Sequence, residues 1–216
     1  LIMTQAIVLI GDLIESRKLS DRERSTTQSD LNKVLDQINR DTNGILSPWT
    51  ITLGDEFQAV YRSGGHLFLH LWMVMAAIHP IYARFSISTG TITTPINRRQ
   101  AIGMDGPAFH AARDGITILR KNEGLLRVNM HEPEIARVMN ASLMLVSKEM
   151  LSWNGNRFHI LQKLEQGMDV GQIAAGLGLS EVAVYKNRNA GALDVIRDLT
   201  SGLAELIDAD VNKSGT

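Results

Sequence analysis

The chain has no cysteine among its 216 residues. Disulfides and thiolate-bound zinc are therefore excluded, and a reducing compartment fits. It also lacks an excess of charge of either sign. Lys+Arg number 22 against 23 Asp+Glu, so at a net charge of -1 no global field draws nucleic acid or an anionic membrane. Long apolar runs are missing too. The segment Leu67 to Ile78 is very apolar, but it contains His70 and is too short to span a bilayer. Leu1-Ile2-Met3-Thr4-Gln5 carries no basic region and no cleavage site, and the apolar run after it has only strand length, so no signal peptide is expected. These absences predict a cytoplasmic protein with no membrane contact. The 44% of hydrophobic residues suits a substantial core, in one domain or one domain with a small appendage.

Two stretches place carboxylates where chemistry could use them. Ala6-Ile7-Val8-Leu9-Ile10 reads as a buried strand that runs into Gly11-Asp12. Thr50 to Tyr61 reads as a hairpin, with β-rich runs flanking a Gly54-Asp55-Glu56 corner. Polar residues in a turn are ordinary, so this spacing alone favours plain turn carboxylates. If the two strands are neighbours, however, Asp12 and Asp55 meet at one edge. Close carboxylates repel unless a cation or proton sits between them. All-oxygen ligands favour Mg²⁺ or Mn²⁺, held by one or two carboxylates plus substrate phosphates.

The rest of the chain alternates. Ser20 or Asp21 is placed to cap a helix whose Leu31, Val34, Leu35 and Ile38 share one face. A second helix is expected from about Ser63 to His79, before Pro80, with Met73 and Met75 in its core. A strand over 83–90, a helix opened by Gly106-Pro107 and a strand over 124–129 follow. The order predicts an α+β fold of split βαβ, ferredoxin-like plan, with helices on one face. From about Glu132 the pattern is helical throughout. Asp169 to Arg188 reads as a short helix, a Gly-containing turn and a Ser-capped second helix, which is a helix-turn-helix. The expected division is 1–131 for the α+β unit, 132–152 for a linker helix and 153–216 for the helix-turn-helix domain.

Four blocks in order resemble the palm domain of class III nucleotide cyclases and GGDEF diguanylate cyclases. They are Val8 to Asp12, Thr52 to Phe57, Arg84 to Gly90 and Gly106 to Arg113. The whole chain, with an early Gly-Asp-x-x-x-Ser-Arg and a late helix-turn-helix, is also similar to the SatD family. The palm resemblance implies that Asp12 and Asp55 bind metal, with Glu56 as a further ligand. It also implies that Arg113 stabilises charge during phosphoryl transfer. Phe109 stands where cyclases have their transition-state Asn, and Ile51 where they have the purine-reading Lys. The resemblance therefore implies metal and purine triphosphate binding more than cyclisation.

Further roles come from the residues themselves. Backbone amides over Leu13, Ile14, Glu15 and Ser16 could cradle phosphate, and Arg17 could neutralise it. Against this stands an ordinary Glu15–Arg17 surface pair. His66 and His70 have an i, i+4 spacing that zinc sites use, but no carboxylate or third His lies at motif spacing. Plain helix-flank histidines are expected there. His110 is expected to be half-buried. Lys186, Asn187 and Arg188 suit DNA contacts on an exposed second helix, together with Val184. Yet residues 151–216 hold 6 Lys+Arg and 8 Asp+Glu, an unusual balance for a DNA reader. The expectation is a homodimeric regulatory protein that binds a nucleotide with metal and has a DNA-binding output. The alternative is a transcriptional regulator or protein-docking factor whose palm domain is an inert dimerisation platform.

Overall fold

The computed structural model describes residues 3–41 and 43–213, without the Arg17 side chain. Strand β1, Thr4–Leu13, lies at the centre of a five-stranded sheet. Its neighbours are β3, Glu56–Tyr61, and β4, Ala83–Ile92, both antiparallel to it. Outside β3 runs β2, Ile45–Ile51, and outside β4 runs β5, Leu126–Asn129, parallel to β4. The order is β2-β3-β1-β4-β5. Pro48 sits in β2, an edge strand with shifted register, where a missing N–H costs least.

Both faces of β1 are covered, which is why its sequence is apolar without alternation. Ile7, Leu9 and Leu13 face one layer, with helices α1, Asp21–Ile38, and α2, Leu67–Ile78. Ala6, Val8 and Ile10 face α3, Pro107–Asn122, through Ala108, Phe109, Ala112, Ile116 and Leu119. The helices thus divide between the two faces of the sheet, rather than sharing one. The strand is also longer than its apolar core suggested. Asp12 lies inside β1, not in a loop after it. Gly11 is what permits this, because a Cβ there would meet the Phe57 ring at 2.3 Å.

Local signals set the helix ends. Ser20 caps α1 in a capping box with Glu23, and Pro107 occupies the first turn of α3. Helix α2 starts at Leu67, where its apolar run begins, and not at the expected Ser63. It is apolar nearly all round because α1 packs on it from one side and α5, Gly155–Glu165, from the other. Met73 and Met75 are buried in it, as expected.

Helices α4, Pro133–Met150, α6, Val170–Leu177, α7, Glu181–Ala190, and α8, Leu193–Lys213, complete the chain. The C-terminal helices do not stand apart from the sheet. One buried apolar cluster runs from Ile7 through Leu71 and Phe158 to Ile207 and Val211. Polar clamps add to it. The buried Asp210 of α8 accepts from Thr89 Oγ1 of β4 at 2.5 Å and from the His131 amide at 3.2 Å. Asp208 Oδ1 accepts from the Gly64 amide at 2.6 Å. Among the described residues, no helix is long and apolar enough to cross a membrane.

Candidate functional site

The β1–β3 register explains how the acidic stretches meet. Asp12 stands directly opposite Glu56, the first residue of β3, and opposite Arg84 on the other side. Cross-strand partners point to the same face, so Asp12 is flanked by an acid and a base. Thr52 to Asp55 close the β2–β3 hairpin. Gly54 has φ 64°, and the Glu56 amide donates to the Leu53 carbonyl at 3.1 Å. The Leu13 amide donates to the Asp55 carbonyl at 3.0 Å, which ties the hairpin to the end of β1.

Asp12 is only 2% exposed and carries a charge, so it needs partners. Arg120 Nε donates to Oδ2 at 3.1 Å and Nη2 to Oδ1 at 2.7 Å, while Arg84 Nη1 lies 3.4 Å from Oδ2. The bidentate fork matches the carboxylate. The Asp12 hydrogen bond holds the Arg120 guanidinium above its usual value, and the charges of Asp55 and Glu56 add to this. Asp55 Oδ2 accepts from Ser16 Oγ at 2.5 Å. Around these groups opens a cleft of about 370 Å³, lined by Asp12, Leu13, Glu15, Ser16, Lys18, Asp55, Arg84 and Arg120. A larger hollow of about 460 Å³ lies between α1, α2, α5 and α6 and has no paired acids of this kind.

The expected residues divide. Asp12, Asp55, Leu13, Glu15 and Ser16 line the cleft. Glu56 is Asp12's strand partner and accepts from Thr52 Oγ1 at 3.4 Å. It does not line the cleft, and these three acids do not bring their oxygens together as a cluster. Leu13 and Ile14 amides are already spent on the carbonyls of Asp55 and Tyr82, so they are not free to cradle phosphate. Glu15 pairs with Lys18 at 2.5 Å, and the Arg17 side chain of the expected Glu15–Arg17 pair lies outside the described residues. Arg113 does not line this cleft. It lies over the Phe109 ring, 5.8 Å from its centre, while Arg120 two turns later supplies the cation. His110 is mostly exposed and bonds Asp105 at 2.9 Å.

On α7 the exposed face differs from the expected one. Val184 is fully buried and belongs to the core. Arg188 forks onto Asp194 at 2.8 Å and 3.1 Å, and Asn187 Nδ2 donates to the Ala183 carbonyl at 2.9 Å. Lys186 is open to solvent beside Val182 and Tyr185. Helices α6, α5 and α8 all pack against α7 and so cover part of the helix expected to be exposed.

Arg84 and Arg120 are not among the expected site residues. Arg84 was reachable, since it sits directly opposite Asp12 in the strand register. Arg120 was not, because nothing local signals a partner 108 residues away.

An α+β chain with a five-stranded mixed sheet, flanked by helices on both faces, holds this cleft. The model of the SatD family matches residues 6–196, and the chain belongs to that family. No curated protein matches. Among solved structures, a bacterial light-regulated adenylyl cyclase is similar at 15% identity and a TM-score of 0.45, covering 59% of this chain and 77% of that one.

Proposed function

We propose that the cleft binds the phosphates of a purine nucleotide together with Mg²⁺ or Mn²⁺, as a palm-type site that serves a regulatory protein. The observation that carries the reading is the convergence of Asp12 and Asp55 with Arg84, Arg120 and Lys18 on one cleft. Mg²⁺ sites typically combine one or two carboxylates with substrate phosphates, and guanidinium forks suit phosphate oxygens. Asp12 and Asp55 would hold the ion, which would neutralise phosphate charge. Arg120 has 54% of its side chain exposed, so it is free to leave Asp12 for an arriving phosphate. Titration calorimetry of ATP and GTP, with Mn²⁺ and with EDTA, tests the reading. Binding only with metal is expected, and equal affinity in EDTA would sink it.

A second reading has its own support. Arg120 occupies both oxygens of Asp12, so the buried charge is balanced without any ion. In this reading the α+β unit is a platform and the output lies in α6 and α7. Those helices are joined through Gly178 at φ 64°, Ser180 caps the second, and they would serve as a helix-turn-helix. Lys186, Tyr185 and Asn189 would face DNA or a protein. A homodimer belongs to both readings: the platform of this one would be a dimerisation unit, and in the first Arg113 could reach a cleft on the partner. Light scattering that reports a monomer at micromolar concentration removes the paired site.

A further inference from the structure

The i, i+4 histidines of α2 acquire the carboxylate that their sequence spacing lacks. Asp41, just after α1, places Oδ2 2.7 Å from His66 Nδ1 and 3.4 Å from His70 Nε2. These ligand atoms all lie within 4.8 Å of one another, the one such trio among the described residues. We propose that Asp41, His66 and His70 bind one divalent transition-metal ion of the zinc class, with a remaining coordination position open to water.

Two imidazoles and one carboxylate are a donor set that zinc uses when it keeps an open position. Two of the three ligand separations are close to what the ion requires. Bonds of 2.0–2.1 Å in a tetrahedron put neighbouring ligand atoms roughly 3.3 Å apart. The Asp41–His70 separation of 3.4 Å already matches. The Asp41–His66 separation of 2.7 Å is a hydrogen bond, which opens by about half an ångström when a metal replaces the shared proton.

Burial is graded across the site. The His70 side chain is 1% exposed, Asp41 32% and His66 42%, so the base is rigid and the mouth is wet. His70 is also aimed. Its Nδ1 lies 2.7 Å from Tyr61 Oη, which accepts from Trp49 Nε1 at 2.6 Å. With metal on Nε2, the ring keeps its proton on Nδ1 and donates it to the Tyr61 oxygen, the kind of outer partner that orients metal-bound histidines. The site adjoins Tyr61, at the opposite end of β3 from Glu56 and the Asp12 cleft, so it stands apart from the nucleotide reading.

The test uses the full chain stripped with chelator and titrated with Zn²⁺ or Co²⁺ alone. One equivalent of Zn²⁺ should bind, and Co²⁺ should give the strong visible bands of a four-coordinate site, which Zn²⁺ bleaches. His66→Gln and Asp41→Asn, both at partly exposed positions, should each weaken Zn²⁺ about a hundredfold or more with far-UV circular dichroism unchanged. His110→Gln should leave affinity unchanged. X-ray absorption of the zinc-loaded wild type needs no variant, and it should report two imidazoles on the ion. No uptake at micromolar Zn²⁺, uptake that survives both ligand substitutions, or a first shell without imidazole would each overturn the proposal.

Discussion

Arg120 grips Asp12 through two hydrogen bonds of 3.1 Å and 2.7 Å, joining the last turns of α3 to the end of β1. The carboxylate is buried while most of the guanidinium's surroundings are wet. Removing the arginine therefore leaves a buried charge with only Arg84 near it. Arg120→Ala should destabilise the protein by about 1–3 kcal/mol, the cost of an unsatisfied buried polar group. Urea denaturation measures this. An unchanged midpoint would mean that Arg84 suffices alone.

The metal reading makes a separate claim at Asp55. With a purine triphosphate present, Mn²⁺ should raise the melting temperature by mass action, by more than either alone. Asp55→Asn should abolish that cooperative rise. If the rise persists undiminished, the ion and phosphate bind elsewhere.

Asp210 should carry a pH dependence. Burial raises its carboxyl, but hydrogen bonds from Thr89 and from the His131 ring and amide outweigh this and hold it below the ordinary value of 3.8. A depressed carboxylate contributes stability that is present above its unfolded value and lost as pH falls through its folded value. At neutral pH, Asp210→Asn should cost about 1–3 kcal/mol. The difference should begin to shrink only below about pH 3.8 and vanish below the still lower folded value. A difference that stays constant down to about pH 2 would contradict this assignment.

On α7 two basic residues should behave differently. Lys186→Ala should weaken any DNA binding and flatten its salt dependence by about one unit per lost phosphate contact. Arg188→Ala should act first on stability, by roughly 1 kcal/mol or less, because its fork is committed to Asp194 at a half-exposed site. Fluorescence anisotropy across a salt series separates the two. Wild type with no affinity at low salt retires DNA as the partner and leaves protein docking.

Much of the frame could be read from local pattern. The apolar run before Asp12, the Ser20 cap, the Leu31–Ile38 face and the Gly54 corner each act within a few residues, and each appears where expected. Partnership over distance could not be read. Whether Asp12 meets a metal or Arg120, and whether His66 and His70 gain Asp41, depends on how layers stack. The same limit misassigned Val184, which is buried in a helix that α5, α6 and α8 pack against.

Helix α2 also sets a schedule for synthesis. Its apolar outer face is covered by α5 and then by α8, which ends at Lys213. Chains grow at roughly 5–20 residues per second, so the ribosome needs about 7–27 seconds to make the residues between Ile78 and Lys213. Throughout that interval Leu71, Met75 and their neighbours lack part of their final cover. The nascent sheet and its first helices therefore keep incompletely covered apolar surface until the last helix arrives.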